Sequence, residues 1–224
     1  MIRALHPDTD LAAVAAFLAE AADYWIMAEG SAPGPDAAAE FFTDGPPGRD
    51  PAQSHHLGLF HDGRLSGLAE LSFGFPEPGD AYLGLMILAP RLRGLGLGPG
   101  LLAHVETLAR AAGAPQLYLA VLQANTRGRA FWDRHGFRPT GISRIDTDHG
   151  LNHPIHRRVK PLYRRGTLAH NTPPSTSTAA SAKRKPTPSA SSTAPPAAAS
   201  KGTVSCATAA RPAPKVGRIA YHSA

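Results

Sequence analysis

The pattern of apolar and polar positions is sharpest between residues 82 and 113. Residues 82–88 form a mostly apolar run of strand length, which predicts a buried β-strand. Pro90 ends this strand, because proline lacks the N–H that a central strand donates. A helix follows, with Pro99 predicted at its first position and Gly113 at its C-terminal stop. One face of this helix is apolar and consists of Leu101, Leu102, Val105, Leu108, Ala109 and Ala112.

Short elements are predicted before that run. Residues 2–5 favour a first strand. Asp8–Asp10 supply candidate N-cap side chains for a helix over Leu11–Ile26, whose apolar positions recur at helical spacing. Asp36 is the predicted N-cap of a second, short helix over Ala37–Phe42. The N-terminal part of the chain therefore predicts one strand followed by two helices.

Strand-like runs flank several turn signals further along the chain. Two of them enclose Asp62 and Gly63, the dipeptide preferred in two-residue hairpin turns. With the apolar run described first, they predict three antiparallel strands. Residues 117–122 predict another buried strand, and residues 138–150 and 153–162 predict a final strand pair. The whole order mixes strands and helices, which favours an α/β (α+β) fold.

Charge is distributed unevenly along the chain. Residues 1–163 contain 14 Lys and Arg against 17 Asp and Glu, a net charge of −3. Residues 164–224 contain 9 Lys and Arg and no acidic residue, a net charge of +9, and the two parts add to +6. Ala, Pro, Ser, Thr and Lys dominate this second part. We predict a folded domain over 1–163 and a disordered basic tail over 164–224.

The tail allows two interpretations. Its positive charge could contact nucleic acid or an anionic membrane nonspecifically, or it could be a solvated extension. The second is favoured, because no aromatic residues interleave the charges to stack on bases.

Cys206 is the single cysteine, so an intramolecular disulfide is excluded. The apolar run Leu11–Leu18 is too short to span a membrane. We expect a cytoplasmic protein with no specific nucleic acid and no membrane as partner.

A glycine-rich loop joins the buried strand of residues 82–88 to the helix after it. Exposed backbone N–H groups at a helix N-terminus form an anion site suited to phosphate, and Arg93 adds positive charge. A Rossmann G-x-G-x-x-G motif does not fit, because Pro99 or Leu101 stands where its third glycine is required. A P-loop does not fit either, because no Gly-Lys-Ser/Thr follows. The alternative is a loop that only turns the chain.

Arg93, Gly96 and Gly98 do fit the pattern Arg-x-x-Gly-x-Gly. This resembles motif A of the GCN5-related N-acetyltransferase (GNAT) family, which cradles the pyrophosphate of acetyl-CoA. Downstream, Asn125 followed by a short helix ending in Gly-Phe resembles motif B of the same family. The resemblance implies a GNAT fold over residues 1–163, with a mixed central sheet that splays between the motif A and motif B strands.

The resemblance implies acetyl-CoA as co-substrate and names its contacts. In the family, pantetheine lies in the splay and pairs with the backbone of the motif A strand. Asn125 is interpreted both as a helix N-cap and as a polar contact. Trp132 stands where many relatives have a tyrosine, and we expect it to pack on the cofactor's sulfur end and the core at Phe131 and Phe137. The predicted cofactor-binding residues are Met86, Ile87, Leu88, Arg93, Gly94, Leu95, Gly96, Leu97, Gly98, Asn125 and Trp132.

An amine attacks a thioester only when it is neutral, so a base must take its proton. Glu70 is the one acidic residue inside a predicted strand and is the candidate base; the alternative is an outward-facing strand residue. The backbone N–H of Leu88 is the predicted donor to the thioester oxygen. Three tyrosines are candidate pocket or proton-relay groups, or core residues: Tyr24, Tyr82 and Tyr118.

The predicted function is N-acetyl transfer from acetyl-CoA to a primary amine, by direct attack in a ternary complex. The acceptor is a small molecule or a peptide, the loops at 27–54 and 138–153 shape its pocket, and the sequence leaves a homodimer open. The alternative is a non-catalytic acyl-CoA-binding or regulatory module that uses the tail for interactions. His149, His153 and His156 cluster, but their spacing is loose and no cysteine lies near them, so no metal site is predicted.

Overall fold

A computed structural model describes residues 1–146, 151–163 and 220–221 of the chain. The strands are β1 (Ile2–Ala4), β2 (His55–His61), β3 (Arg64–Phe73), β4 (Ala81–Leu88), β5 (Gln116–Leu122), β6 (Arg138–Asp146), β7 (His153–Pro161) and β8 (Ala220–Tyr221). The helices are α1 (Pro7–Glu20), α2 (Ala22–Glu29), α3 (Ala37–Thr43), α4 (Leu97–Ala111) and α5 (Thr126–Arg134).

The strands form one mixed sheet in the order β1-β2-β3-β4-β5-β7-β6, and β8 pairs with β4 outside this path. β4 and β5 run parallel, because α4 carries the chain from the end of one to the start of the other. The β1–β2, β2–β3, β3–β4, β5–β7 and β6–β7 pairs are antiparallel. The α/β fold and the GNAT-like order that the sequence predicted are confirmed.

The hairpin between β2 and β3 forms at the predicted turn. Asp62 has φ 50° and Gly63 has φ 72°, so both central residues are left-handed, as a type I′ turn requires. Asp and Gly tolerate this conformation at low cost, which is why the dipeptide was a reliable signal. The turn fixes the register of β3 against β2, and β3 pairs on its other side with β4, where the candidate site lies.

The first helix differs from its prediction. It begins at Pro7 rather than Leu11, with the proline at a position where no N–H is needed. It also breaks at Ala21, so the predicted single helix is two helices, α1 and α2. Asp10 does not cap the helix as its N-cap residue. Its carboxylate accepts the His6 N–H at 3.0 Å from inside the first turn.

Two other helix ends were predicted with mixed success. α4 begins at Leu97, so Pro99 is its third residue and not its first. Gly113 follows the helix with φ 79°, which agrees with the predicted C-terminal stop. Asp36 stands at the N-cap position of α3, but its side chain makes no capping hydrogen bond.

The core lies between the sheet and the helices, and all described residues belong to one compact unit. The predicted disorder of the tail concerns residues outside the described ones, apart from β8. In the described residues no single helix has the length and apolar composition to cross a membrane. The bent pair α1 and α2, with 67° between the two helices, meets the length and composition criteria when the two helices are taken together.

Candidate functional site

β4 and β5 diverge soon after they begin. They pair at two positions, Ala81 with Leu117 and Tyr82 with Tyr118. β5 then continues to pair with β7 along its whole length, while the rest of β4 has no partner in β5 within the described residues. This is the splay that the motif resemblance implied. It leaves one backbone side of β4 available to an extended partner.

The open side of β4 carries the amide of Leu88. The Ala89 N–H donates to the Ser66 carbonyl at 2.9 Å, so these two opposite residues form a hydrogen-bonded pair. Such pairs alternate with non-bonded ones along an antiparallel ladder. The N–H of Leu88 therefore points away from β3 and into the splay, while the backbone of Ile87 is committed to β3. This corrects the prediction for Ile87, which cannot pair with pantetheine through its backbone.

β8 occupies part of this open side. Ala220 pairs with Leu85, and Tyr221 pairs with Met86, both in parallel register. Since β3 covers the other side of β4, the two residues lie in the splay between β4 and β5. The edge of β4 can thus pair with an extended segment, as the prediction for pantetheine requires.

The glycine-rich loop has the backbone conformation that only glycine adopts easily. Gly94 has φ 80° and Gly96 has φ 77°, and Gly96 is the N-cap residue of α4. A Cβ built at either glycine would have no atom within 4 Å, so conformation and not crowding demands glycine here. The loop from Gly94 to Gly98 presents its N–H groups at the start of α4, which fits an anion such as pyrophosphate.

Arg93 is held from two sides in this structure. Its Nε donates to the Leu88 carbonyl at 2.9 Å, and its guanidinium makes a two-point ion pair with Asp23, with 3.0 Å between Nη2 and Oδ1. The side chain is 10% exposed. Arg93 therefore ties α2 to the end of β4, a role that the sequence did not indicate. Its predicted contact with pyrophosphate stays a prediction.

The motif B segment forms α5 with Asn125 as its N-cap. The Asn125 side chain accepts the Gly128 N–H at 2.8 Å, so the capping part of its prediction is confirmed. A Cβ at Gly128 would lie 2.5 Å from the Asn125 amide nitrogen, which requires glycine there. Gly136 has φ 85°, as predicted for the helix end.

Trp132 lies completely inside the core. Its ring meets Phe131 edge-on at 4.9 Å and Phe137 at 5.2 Å between ring centroids, which agrees with the predicted packing. The side chain has no exposed surface. This corrects the other half of the prediction, because no indole surface is left in this structure for the sulfur end of a cofactor.

A pocket lies between the β3–β4 surface and helices α1 to α3. It contains about 690 Å³ of empty space, a figure that includes space open to solvent. The sheet contributes Glu70, Tyr82, Gly84 and Leu85. The predicted loop region 27–54 contributes residues of α3 and of the segment after it. None of the described residues of 138–153 lines this pocket, residues 147–150 lie outside the described residues, and a contribution of that loop stays a prediction.

Glu70 faces this pocket and is 5% exposed, so it is not the outward-facing residue of the alternative interpretation. The Ser72 hydroxyl donates to Oε1 of Glu70, and Ser54 Oγ lies 2.7 Å from Ser72 Oγ. Burial raises the pKa of Glu70 to about 7, while the hydrogen bonds from these serines and the Gly84 backbone oppose that rise. A carboxyl group in this range can accept and release a proton near neutral pH.

Gly84 makes room for the carboxylate. The β3–β4 register shifts by one residue here, with Glu70 opposite Leu85 and Leu71 opposite Leu83. Gly84 is thus the extra residue of a β-bulge in β4. A Cβ built at Gly84 would lie 1.9 Å from Oε2 of Glu70, so any side chain would displace the carboxylate.

His56 lies opposite Glu70 on the neighbouring strand β2. The ring is buried against Phe41 and Phe42, at centroid distances of 5.1 and 5.3 Å. Burial lowers the pKa of His56 to about 4, so the ring is neutral at physiological pH.

The other predicted groups are placed as follows. Tyr82 lines the pocket, Tyr24 is fully buried, and burial raises the pKa of Tyr118. Within the described ranges no three His, Cys, Asp or Glu side chains are grouped to hold a metal ion. Of the histidine cluster, His156 instead bonds Ser143 at 2.7 Å, and His149 lies outside the described residues.

The sequence analysis missed Ser54, Ser72 and Gly84. Ser72 had a signal, because residues two apart on a strand share a face, and Ser72 is two residues after Glu70. Ser54 and Gly84 reach Glu70 only through the packing of β3 against its neighbours. Nothing in the local sequence marks them.

The sequence profile of the Acetyltransferase (GNAT) family matches residues 16–137, more than half of the chain. Many solved structures are similar to this chain, among them those of three acetyltransferases. An N-acetyltransferase from Staphylococcus aureus Mu50 has 18% identity, a TM-score of 0.57, and coverage of 73% of this chain and 98% of that chain. The ribosomal-protein-S18-alanine N-acetyltransferase from Escherichia coli has 20% identity, a TM-score of 0.56, and coverage of 75% of this chain and 97% of that chain. An acetyltransferase from Thermus thermophilus has 21% identity, a TM-score of 0.54, and coverage of 72% of this chain and 96% of that chain. At these identities the likeness concerns the fold alone.

Proposed function

The chain belongs to the GNAT family of acetyltransferases, and we propose that it transfers the acetyl group of acetyl-CoA to a primary amine by direct attack in a ternary complex. The observation that carries this proposal is Glu70. A buried carboxyl group with a pKa of about 7 faces a pocket, beside the strand whose backbone is open. Buried carboxyl groups with raised pKa values are frequent at catalytic sites.

The residues present fit acetyl-CoA. The open side of β4 offers backbone groups to an extended pantetheine, and β8 pairs with the same edge. The glycines before α4 offer N–H groups to its phosphates. When bound, acetyl-CoA supplies a thioester that an amine can attack. Gly94, Leu95, Gly96, Leu97 and Gly98 are the proposed phosphate contacts, and Met86 and Leu88 the proposed pantetheine contacts.

Glu70 is the proposed general base. The acceptor arrives as an ammonium ion, because primary amines have pKa values of about 10. The carboxylate of Glu70 takes one proton and leaves a neutral amine for the attack. Ser72 donates a hydrogen bond that holds the carboxylate in position. Its hydroxyl also bonds that of Ser54, which is half-buried and connects the carboxylate to solvent. This serine pair is a proposed route for the proton after each turnover.

The N–H of Leu88 is the proposed donor to the thioester oxygen, where negative charge develops during the attack. The coenzyme then leaves as a thiolate. An alkyl thiol has a pKa of about 8.5, so this group leaves without a general acid. Trp132 cannot act as that acid, because an indole N–H gives up no proton near neutral pH. Tyr118 remains the candidate if an acid is needed.

A thiol-release assay over a library of amines tests this function. Release of free CoA that depends on an added amine, with the acetylated amine as product, supports the enzyme. The competing function is a non-catalytic acyl-CoA-binding module. It predicts tight acetyl-CoA binding by calorimetry and no amine-dependent release with polyamines, amino acids, aminoglycosides or peptides.

A further inference from the structure

The pocket at Glu70 carries three carboxyl groups. Glu40 lies in α3, Asp44 directly follows the last residue of that helix, and both residues line the pocket. Glu70 lines the pocket from β3, and the negative charge of Asp44 acts on it and raises its pKa. Among the described residues that line the pocket there is no Lys, Arg or His. The polar part of the pocket lining is therefore acidic.

We propose that the acceptor is a dication, a primary amine joined through an apolar spacer to a second positively charged group. The reacting amine lies at Glu70, and the second positive group lies at Glu40 and Asp44. This inference rests on the proposed function and names the substrate class of the same site.

Apart from these carboxyl groups, the pocket is largely apolar and aromatic. Trp25, Phe41, Phe75 and Tyr82 line it, with Phe75 and Tyr82 in edge-on contact at 5.0 Å between centroids. Methylene groups gain free energy on leaving water for such a surface. Aromatic faces also attract cations. A spacer of a few methylene groups with a cation at each end suits a pocket that combines acidic side chains with an apolar, aromatic lining.

The same charges select against acidic acceptors. A carboxylate on the acceptor would be placed in a pocket with three acidic side chains and no described basic residue to pair with it. Burying a charge without a partner is strongly unfavourable. Amino acids that carry a free carboxylate should therefore be poor substrates, although they supply a primary amine.

Three primary amines with the same number of carbon atoms separate these effects. Cadaverine ends in a second ammonium group, pentylamine ends in a methyl group, and 5-aminopentanoate ends in a carboxylate. We expect kcat/KM to fall in that order, with cadaverine about tenfold or more above pentylamine. The assay is run at about pH 8.5, above the pKa of Glu70, so that the ionisation of the base does not limit any probe. Cadaverine is still doubly protonated there.

Asp44→Asn is the matching variant. It should lower the ratio of cadaverine to pentylamine kcat/KM at least about threefold, because one partner of the second ammonium loses its charge. Asp36→Asn is the control, because Asp36 is an exposed carboxylate at the start of the same helix and does not line the pocket. The control should leave the ratio unchanged.

The outcomes separate the inference from the function beneath it. Equal kcat/KM for cadaverine and pentylamine, or a preference for 5-aminopentanoate, overturns the inference and leaves acetyl transfer intact. If no probe is acetylated, the proposed function fails for these amines and calorimetry decides the inference. Cadaverine must then still bind more tightly than pentylamine, and the difference must shrink in Asp44→Asn. Equal binding of the two probes overturns the dication pocket.

Discussion

At the scale of single residues, the site depends on a carboxyl group kept out of water. Glu70 is almost fully buried, and this burial raises its pKa. The donated hydrogen bonds limit that rise because they stabilise the ionised form. The serine hydroxyls and the Gly84 backbone thus set both the position and the proton affinity of the carboxylate.

Ser72→Ala tests how the hydrogen bond affects the proton affinity of Glu70, through the pH dependence of kcat/KM. The Ser72 hydroxyl lowers the pKa of Glu70, so its loss should raise that pKa above about 7. The base is active when deprotonated, so the acidic limb of the kcat/KM profile should move to higher pH. Ser66→Ala is the control, since this buried serine lies on the same strand and donates to the Arg64 carbonyl instead. A limb that moves equally in both variants, or in neither, contradicts the role of Ser72.

Gly84→Ala tests the position of the carboxylate. Its Cβ would occupy the space of Oε2 of Glu70, so the carboxylate must move. We expect kcat/KM to fall about 10²-fold or more, as for loss of a general base. Gly79→Ala is the control, because its Cβ would make only an ordinary contact of 4.0 Å with Pro115. Full activity in folded Gly84→Ala, established by circular dichroism, would show that Glu70 need not lie there.

At the scale of elements, the strands followed their sequence pattern and the helix boundaries did not. Apolar runs and the Asp62-Gly63 turn act locally, so they predicted β2 to β5 well. The break at Ala21 has no Gly or Pro to mark it. Ala21 is fully buried and Arg93 bonds to Asp23 in α2, so tertiary packing sets the direction of that helix. Such contacts join distant parts of the chain and leave no local signal.

Asn125→Ala tests the start of α5. The side chain satisfies the Gly128 N–H, which would otherwise be buried without a partner. Its loss should cost about 1 kcal/mol of unfolding free energy, measured by urea denaturation. Asn125→Asp keeps the acceptor oxygen and should lose less. If both variants lose the same stability, capping is not what Asn125 contributes.

At the scale of the whole molecule, the sequence predicted the fold and the splay because the motifs fix the order of strand, loop and helix. It also marked Glu70 as the one acidic residue inside a predicted strand, and the structure buries that residue in the pocket, while its role as the base stays a proposal. The pocket around Glu70 could not be predicted, because α3, β3 and β4 contribute to it together. The β-bulge at Gly84 depends on the register between two strands, which composition does not encode.

Truncation after Tyr163 tests how the molecule divides. The notable contact beyond that residue is β8, which pairs at two positions with Leu85 and Met86. Two pairs offset little of the entropy of closing so long a loop. Melting temperature and acetyl-CoA affinity should therefore change little. A fall of several degrees would show that the tail docks on the domain, and several-fold tighter acetyl-CoA binding would show that β8 competes for the splay.

The most direct test of the central claim is the rate of product formation by wild type and Glu70→Gln, with acetylated cadaverine and free CoA both quantified by mass spectrometry. The account predicts that wild type forms the two products in equal amounts. It predicts that Glu70→Gln is slower by about 10²-fold or more while its acetyl-CoA affinity is unchanged. A rate for Glu70→Gln within a few-fold of wild type, or CoA released by wild type without acetylated amine, would contradict the account.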